Sequence, residues 1–144
     1  MLKQQVADIR AFNRFYTRVI GLLNKYILNS SFTLPEVRVL YEIYYHESIT
    51  AGEIVQALGI DKSYLSRMLA TFEKKKLVAK KRSGEDARIL FLLLTARGRK
   101  EFEMLDAAQY SQIENILKRL SSVDCEMLVT YMTEIKKILA KAAT

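Results

Sequence analysis

Apolar side chains open the chain at alternating steps of three and four: Ile9, Phe12, Tyr16, Val19, Leu23 and Tyr26 predict a helix over Val6–Ile27. A second helix is predicted from Thr33, where Thr33-Leu34-Pro35-Glu36 has the form of a capping box with the chain's single proline in the first turn. It continues through Val37, Leu40, Tyr41 and Tyr44. Thr50-Ala51-Gly52-Glu53 repeats the capping signal for a third helix, which runs to Leu58 and stops at Gly59. Asp61 is a natural N-cap for a fourth, reaching to Lys76, whose apolar face is Leu65, Met68, Leu69 and Phe72.

After Lys76 the pattern becomes that of strands. Leu77–Arg82 and Arg88–Leu94 flank the turn formers Ser83-Gly84-Glu85-Asp86 and predict a β-hairpin with an exposed tip. Thr95 then caps a helix carried by Phe102, Leu105, Ile113, Ile116, Leu117 and Leu120. A last helix follows Ser121, with Leu128, Tyr131, Met132, Ile135, Ile138 and Leu139 expected on its inner face. Short helix, tight turn, helix and basic hairpin in succession make a winged helix-turn-helix. The expected fold class is therefore mainly α with a small β-hairpin wing.

Charge changes the picture more than composition does. At 144 residues, half of them apolar and 27% charged, the chain is an ordinary globular domain with room for one core. Its net charge of +7 suggests an anionic partner, and the placement says where. Residues 1–61 are balanced and residues 101–144 carry a net −2, whereas residues 62–100 hold twelve basic side chains against three acidic ones, a net +9. An anion-binding surface is expected on the fourth helix and the hairpin.

With Leu65 and Phe72 turned inward, the opposite face of that helix presents Ser63, Arg67, Ala70 and Lys74, with Tyr64, Ser66 and Thr71 at its edges. Such a face fits the major groove, where arginine donates two bonds to guanine and hydroxyl groups bond phosphates. Backbone N–H groups at its start, beside Lys62, favour a phosphate. The hairpin adds Lys80, Lys81, Arg82, Asp86 and Arg88. Partners expected from these residues are double-stranded DNA and, given apolar helices at both ends, a second copy of the chain.

Other chemistry finds little support. A lone histidine, His46, assembles neither a catalytic triad nor a histidine metal cluster, so no catalytic residue, metal or cofactor is expected. Cys125, the single cysteine, makes no internal disulfide and reads as an inert thiol. The longest apolar run, Ile89–Leu94, is far short of the ~20 residues of a membrane span, and Met1–Arg10 lacks a signal-peptide core, so no membrane partner and a cytoplasmic location are expected. Tyr16, Tyr41, Tyr44 and Tyr45 either line a pocket for a small, aromatic effector or simply fill the core.

Over almost its whole length the sequence resembles the MarR family of bacterial transcriptional regulators. The resemblance rests on the capped helix from Thr33, on Thr50–Leu58 with Gly59, on Tyr64-Leu65-Ser66-Arg67, and above all on Asp86-Ala87-Arg88 followed by Leu94-Thr95-Ala96-Arg97-Gly98. It implies one domain over 1–144, with dimerisation helices at 1–30 and 98–144 and a DNA-binding lobe at 33–97. It also implies a homodimeric repressor reading a pseudo-palindromic operator, with Arg88 the wing arginine and Asp86 its partner. Two positions depart from the family pattern. Ala87 stands where many members have a second arginine, leaving Lys81 and Arg82 as alternatives for the minor groove, and Lys76 stands where many have glycine, so a different exit from the recognition helix is expected. The stretch from Phe12 to Glu42 also resembles the regulator half of proteins fused to an acetyltransferase. The alternative function is accordingly a regulatory or interaction module of a longer acetyltransferase-type protein, without catalysis of its own; a protein- or RNA-binding winged helix is a third class.

Overall fold

The structure, a computed structural model, describes residues 1–24, 27 and 29–143. Its elements run α1 (Leu2–Leu23), α2 (Leu34–Tyr45), β1 (Ile49–Thr50), α3 (Ala51–Leu58), α4 (Lys62–Lys74), β2 (Val78–Arg82), β3 (Leu90–Leu94), α5 (Ala96–Leu117) and α6 (Ser122–Ala142). They fall into two compact units, residues 1–109 and the segment from Tyr110 onward. The first helix starts at Leu2, four residues before the expected Val6, and ends at Leu23 instead of the expected Ile27; Tyr26 lies outside the described residues.

Local chemistry sets the helix boundaries in the first unit. Thr33 and Thr50 each close a reciprocal capping box, with Glu36 and Glu53 respectively, and Asp61 accepts the Tyr64 N–H at 2.9 Å. Gly59 ends α3 with a φ of 62°, a left-handed conformation glycine adopts without penalty. These ends orient α3 and α4 so that Ile54, Leu65, Met68, Leu69 and Phe72 share a core with Val39, Leu40 and Ile43 of α2. Phe72 and Ile54 are fully buried.

The hairpin is shorter than its apolar run and is joined by a third strand. β3 lies between β1 and β2, with Ile49 opposite Leu92 on one side and Lys80 opposite Leu92 on the other. Two residues are too few to show an alternation of their own; β1 exists because β3 offers it an edge. Arg88 and Ile89 belong to the tip, where the Ser83 N–H donates to the Ile89 carbonyl at 2.9 Å.

The exit from α4 is made the way a glycine would make it. Lys76 has a φ of 60°, the Leu77 N–H reaches back to the Phe72 carbonyl (2.9 Å), and the Lys76 N–H reaches the Glu73 carbonyl (3.0 Å). This is a Schellman closure, sealed by the buried pair Phe72 and Leu77, with lysine in the left-handed position. The expected difference at Lys76 is therefore one of side chain and strain, not of path. Lys76→Gly is expected to stabilise the fold by about 1 kcal/mol, because a left-handed lysine is strained by that order. A urea-unfolding midpoint that does not rise would contradict it.

In the second unit, Ser121 caps α6 through the Asp124 N–H at 3.0 Å, and the Cys125 thiol lies 3.5 Å from the Leu117 carbonyl. Here the structure corrects the expectation of an inner face. No described residue of α6 is buried, and Leu128, Tyr131, Met132, Ile135, Ile138 and Leu139 are all exposed. The same holds for Ile113, Ile116 and Leu120, and in the first unit for Ile9 and Phe12. Helical periodicity identifies an apolar face without saying what covers it, and none of the described residues buries these.

Candidate nucleic-acid interface

Four core residues at helical spacing, Leu65, Met68, Leu69 and Phe72, anchor α4 and leave the rest of its surface outside. Lys62, Ser63, Tyr64, Ser66, Arg67, Thr71 and Lys74 are all exposed, as the periodicity of α4 requires. Thr71 donates its hydroxyl to the Arg67 carbonyl at 3.2 Å, which leaves that oxygen only as an acceptor. The Arg67 guanidinium makes no hydrogen bond or ion pair among the described residues, so its donors face solvent uncommitted.

The wing sorts its cations into two kinds. Arg82 donates Nη1 to the Ala87 carbonyl at 2.7 Å, bracing the tip from inside. Lys80 pairs with Glu73 of α4 at 3.0 Å. Arg88 is held side-on by Asp86: Nε lies 3.1 Å from Oδ1, Nη2 lies 3.2 Å from Oδ2, and the Arg88 backbone N–H adds a third bond at 3.0 Å. These donors hold the Asp86 carboxyl below its ordinary value. Arg88 itself is 91% exposed at its side chain, projecting but restrained in direction. Lys81, exposed and without an ion pair among the described residues, completes the presented charge. Of the twelve residues expected on this surface, Lys80 and Arg82 are thus engaged within the protein, and Asp86 orients a cation instead of offering one.

The tyrosines divide as well. Tyr41, Tyr44 and Tyr45 gather around the buried ring of Phe102, with Tyr41–Tyr45 and Tyr44–Phe102 centroids 4.5 and 4.8 Å apart. Tyr44 donates to Glu103 (2.9 Å) and Tyr45 to Asp106 (2.6 Å), tying α2 to α5. The Asp106 bond comes first among the causes that push the Tyr45 hydroxyl up to about 12. Tyr16 instead stacks on Phe12 at 5.6 Å. A cavity of about 320 Å³ opens beside α2, lined by Asn24, Ile27, Val37, Arg38, Tyr41 and Gln109 among others; of the four tyrosines only Tyr41 reaches it. Within it, Gln109 donates to the buried Asn24 at 2.9 Å, a pairing across 85 positions that no local signal announces.

A cluster of bonds at Thr95 ties the wing to α5. Thr95 donates its hydroxyl to the Lys76 carbonyl (2.6 Å), accepts the Gly98 N–H (3.0 Å), and gives its own N–H to the Leu77 carbonyl (3.0 Å). The start of α5 is thereby fastened to the end of α4 with the hairpin looped out between them. His46 ends α2, its Nδ1 2.9 Å from the Glu42 carbonyl.

A capped helix-turn-helix with an uncommitted polar face, followed by a hairpin that projects an oriented arginine, defines a winged helix-turn-helix protein. Residues 30–89 match the MarR family. It is 23% identical over 119 residues to the HTH-type transcriptional regulator YdgJ of Bacillus subtilis (strain 168), covering 83% of this chain and 71% of the relative. The fold is also that of a solved MarR family transcription regulator, with a TM-score of 0.82, 19% identity and 98% and 93% of the two chains covered. FabT of Streptococcus pneumoniae, solved in complex with DNA, superposes with a TM-score of 0.79 at 16% identity, covering 96% and 98%.

Proposed function

We propose that this chain is a transcription regulator that binds double-stranded DNA as a homodimer, inserting α4 into the major groove and the wing into the adjacent minor groove. The observation that carries the reading is the uncommitted Arg67 face of α4 standing beside a wing that presents Arg88 and Lys81. Support also comes from FabT, a relative in fold that was solved with DNA. Residues 33–97 form the DNA-binding lobe, and residues 1–30 and 98–144 supply the dimer helices. The exposed apolar stripes of α1 and α6 call for a partner surface, and a second copy provides one. A twofold dimer reads a pseudo-palindrome whose half-sites lie about one helical turn, ~34 Å, apart. Repression is the direction proposed, with affinity tuned by a small aromatic ligand in the Tyr41-lined cavity.

Selection of bound fragments from a genomic DNA library, followed by anisotropy titrations, tests the reading. Lys81→Ala is expected to weaken binding to all sequences alike and to flatten the slope of log affinity against log salt by about 1. Failure of the wild type to retain any fragment would overturn the function. Light scattering showing a monomer at micromolar concentration would remove the dimer alone. Release of a selected fragment by an aromatic ligand, lost when Tyr41 is replaced by alanine, is the expected sign of the effector site.

A further inference from the structure

The recognition helix carries one acidic side chain beyond its cap, Glu73, in its last turn. A carboxylate there opposes the helix dipole, which leaves negative partial charge at that end, so helix stability does not account for it. It would also face a polyanion if α4 lies on DNA. What it does in the structure is hold Lys80: Nζ sits 3.0 Å from Glu73 Oε1, with both side chains roughly 40% exposed. Lys80 lies on the strand face it shares with the buried Leu92, so its stem runs along the groove between α4 and the sheet and brings the ammonium to Glu73. Glu85 and Asp86, the other acidic residues of the 62–100 segment, lie at the wing tip, and Asp86 is engaged by Arg88.

We propose that Glu73 limits the sequence-independent affinity of the wing by masking: it neutralises Lys80 and withholds one phosphate contact. The inference rests on the DNA-binding reading above. Phosphate contacts add affinity for every sequence equally, whereas Arg67 and its neighbours read base edges. Withholding one phosphate contact therefore lowers the affinity for all DNA alike and leaves the base contacts untouched. Lys81, without an ion pair among the described residues, and Arg88, paired with Asp86 yet 91% exposed, remain the charges the wing offers.

The test uses the full chain and a mixed-sequence DNA duplex about three helical turns long, titrated by anisotropy across a salt series. For Glu73→Gln, the slope of log affinity against log salt should steepen by about 0.9, so that its advantage over wild type shrinks by about threefold between about 50 and 200 mM salt. In the double variant Glu73→Gln/Lys80→Gln, where a neutral pair replaces an internally neutralised one, the slope should return to that of wild type. An unchanged slope in Glu73→Gln would mean that the freed Lys80 gains no phosphate contact, and a double variant flatter than wild type by about 0.9 would mean that Lys80 already makes one; either result would overturn the masking role. A wild type that binds the duplex with no salt dependence would instead remove the DNA-binding reading, and this inference with it.

Discussion

Gly98→Ala is expected to destabilise the protein by about 3 kcal/mol or more, at the upper end of what overpacking costs, because the site cannot yield. A methyl at this position would overlap the Leu77 carbonyl oxygen and lie 2.9 Å from its carbon and 3.1 Å from its Cα. These are backbone atoms, and they are fixed twice over. Leu77 is 2% exposed, and its carbonyl accepts the Thr95 N–H while its own N–H closes the α4 exit. Relief would require α5 to lift away from the lobe, breaking the Thr95–Gly98 and Thr95–Lys76 bonds together. Urea unfolding monitored by circular dichroism measures the effect; a loss below about 1 kcal/mol would show that the start of α5 is free to shift. The contact also explains physically why threonine and glycine stand three residues apart after the wing.

The second large effect is on binding. Arg67→Ala is expected to reduce affinity for a selected operator by about 1–3 kcal/mol, roughly 5- to 150-fold, while random DNA is bound nearly as before. Stability should stay within about 0.5 kcal/mol of wild type, since the side chain is exposed and engages no partner among the described residues. Anisotropy titrations on operator and scrambled duplexes separate the outcomes. An equal loss on both would place Arg67 on a phosphate and move base reading elsewhere on α4.

Much of the lobe was legible in the sequence because its signals are local. The boxes at Thr33 and Thr50, the cap at Asp61 and the stop at Gly59 each act within four residues, and the structure places all of them as read. The stripe Leu65, Met68, Leu69 and Phe72 likewise turned the basic face of α4 outward by periodicity alone. Illegible features depend on distant partners. β1 has no pattern until β3 pairs with it, and Asn24 meets Gln109 only when α1 and α5 come together. Charge counting treated Lys80 and Arg82 as equals of Lys81, because a sum along the chain cannot register that Glu73 and the Ala87 carbonyl have already engaged two of them.

The amino-acid sequence by itself determined the order of elements, the inward face of α4 and the stretch where positive charge accumulates, since each follows from propensity, capping and period over a few residues. Only the tertiary structure decided which wing cations are presented, why Gly98 admits no side chain, and that the apolar faces of α1 and α6 are left uncovered by the described residues of one chain. Those outcomes turn on distances between residues far apart in sequence, and hydrogen bonds, ion pairs and steric overlap depend on such distances steeply enough that no local pattern encodes them.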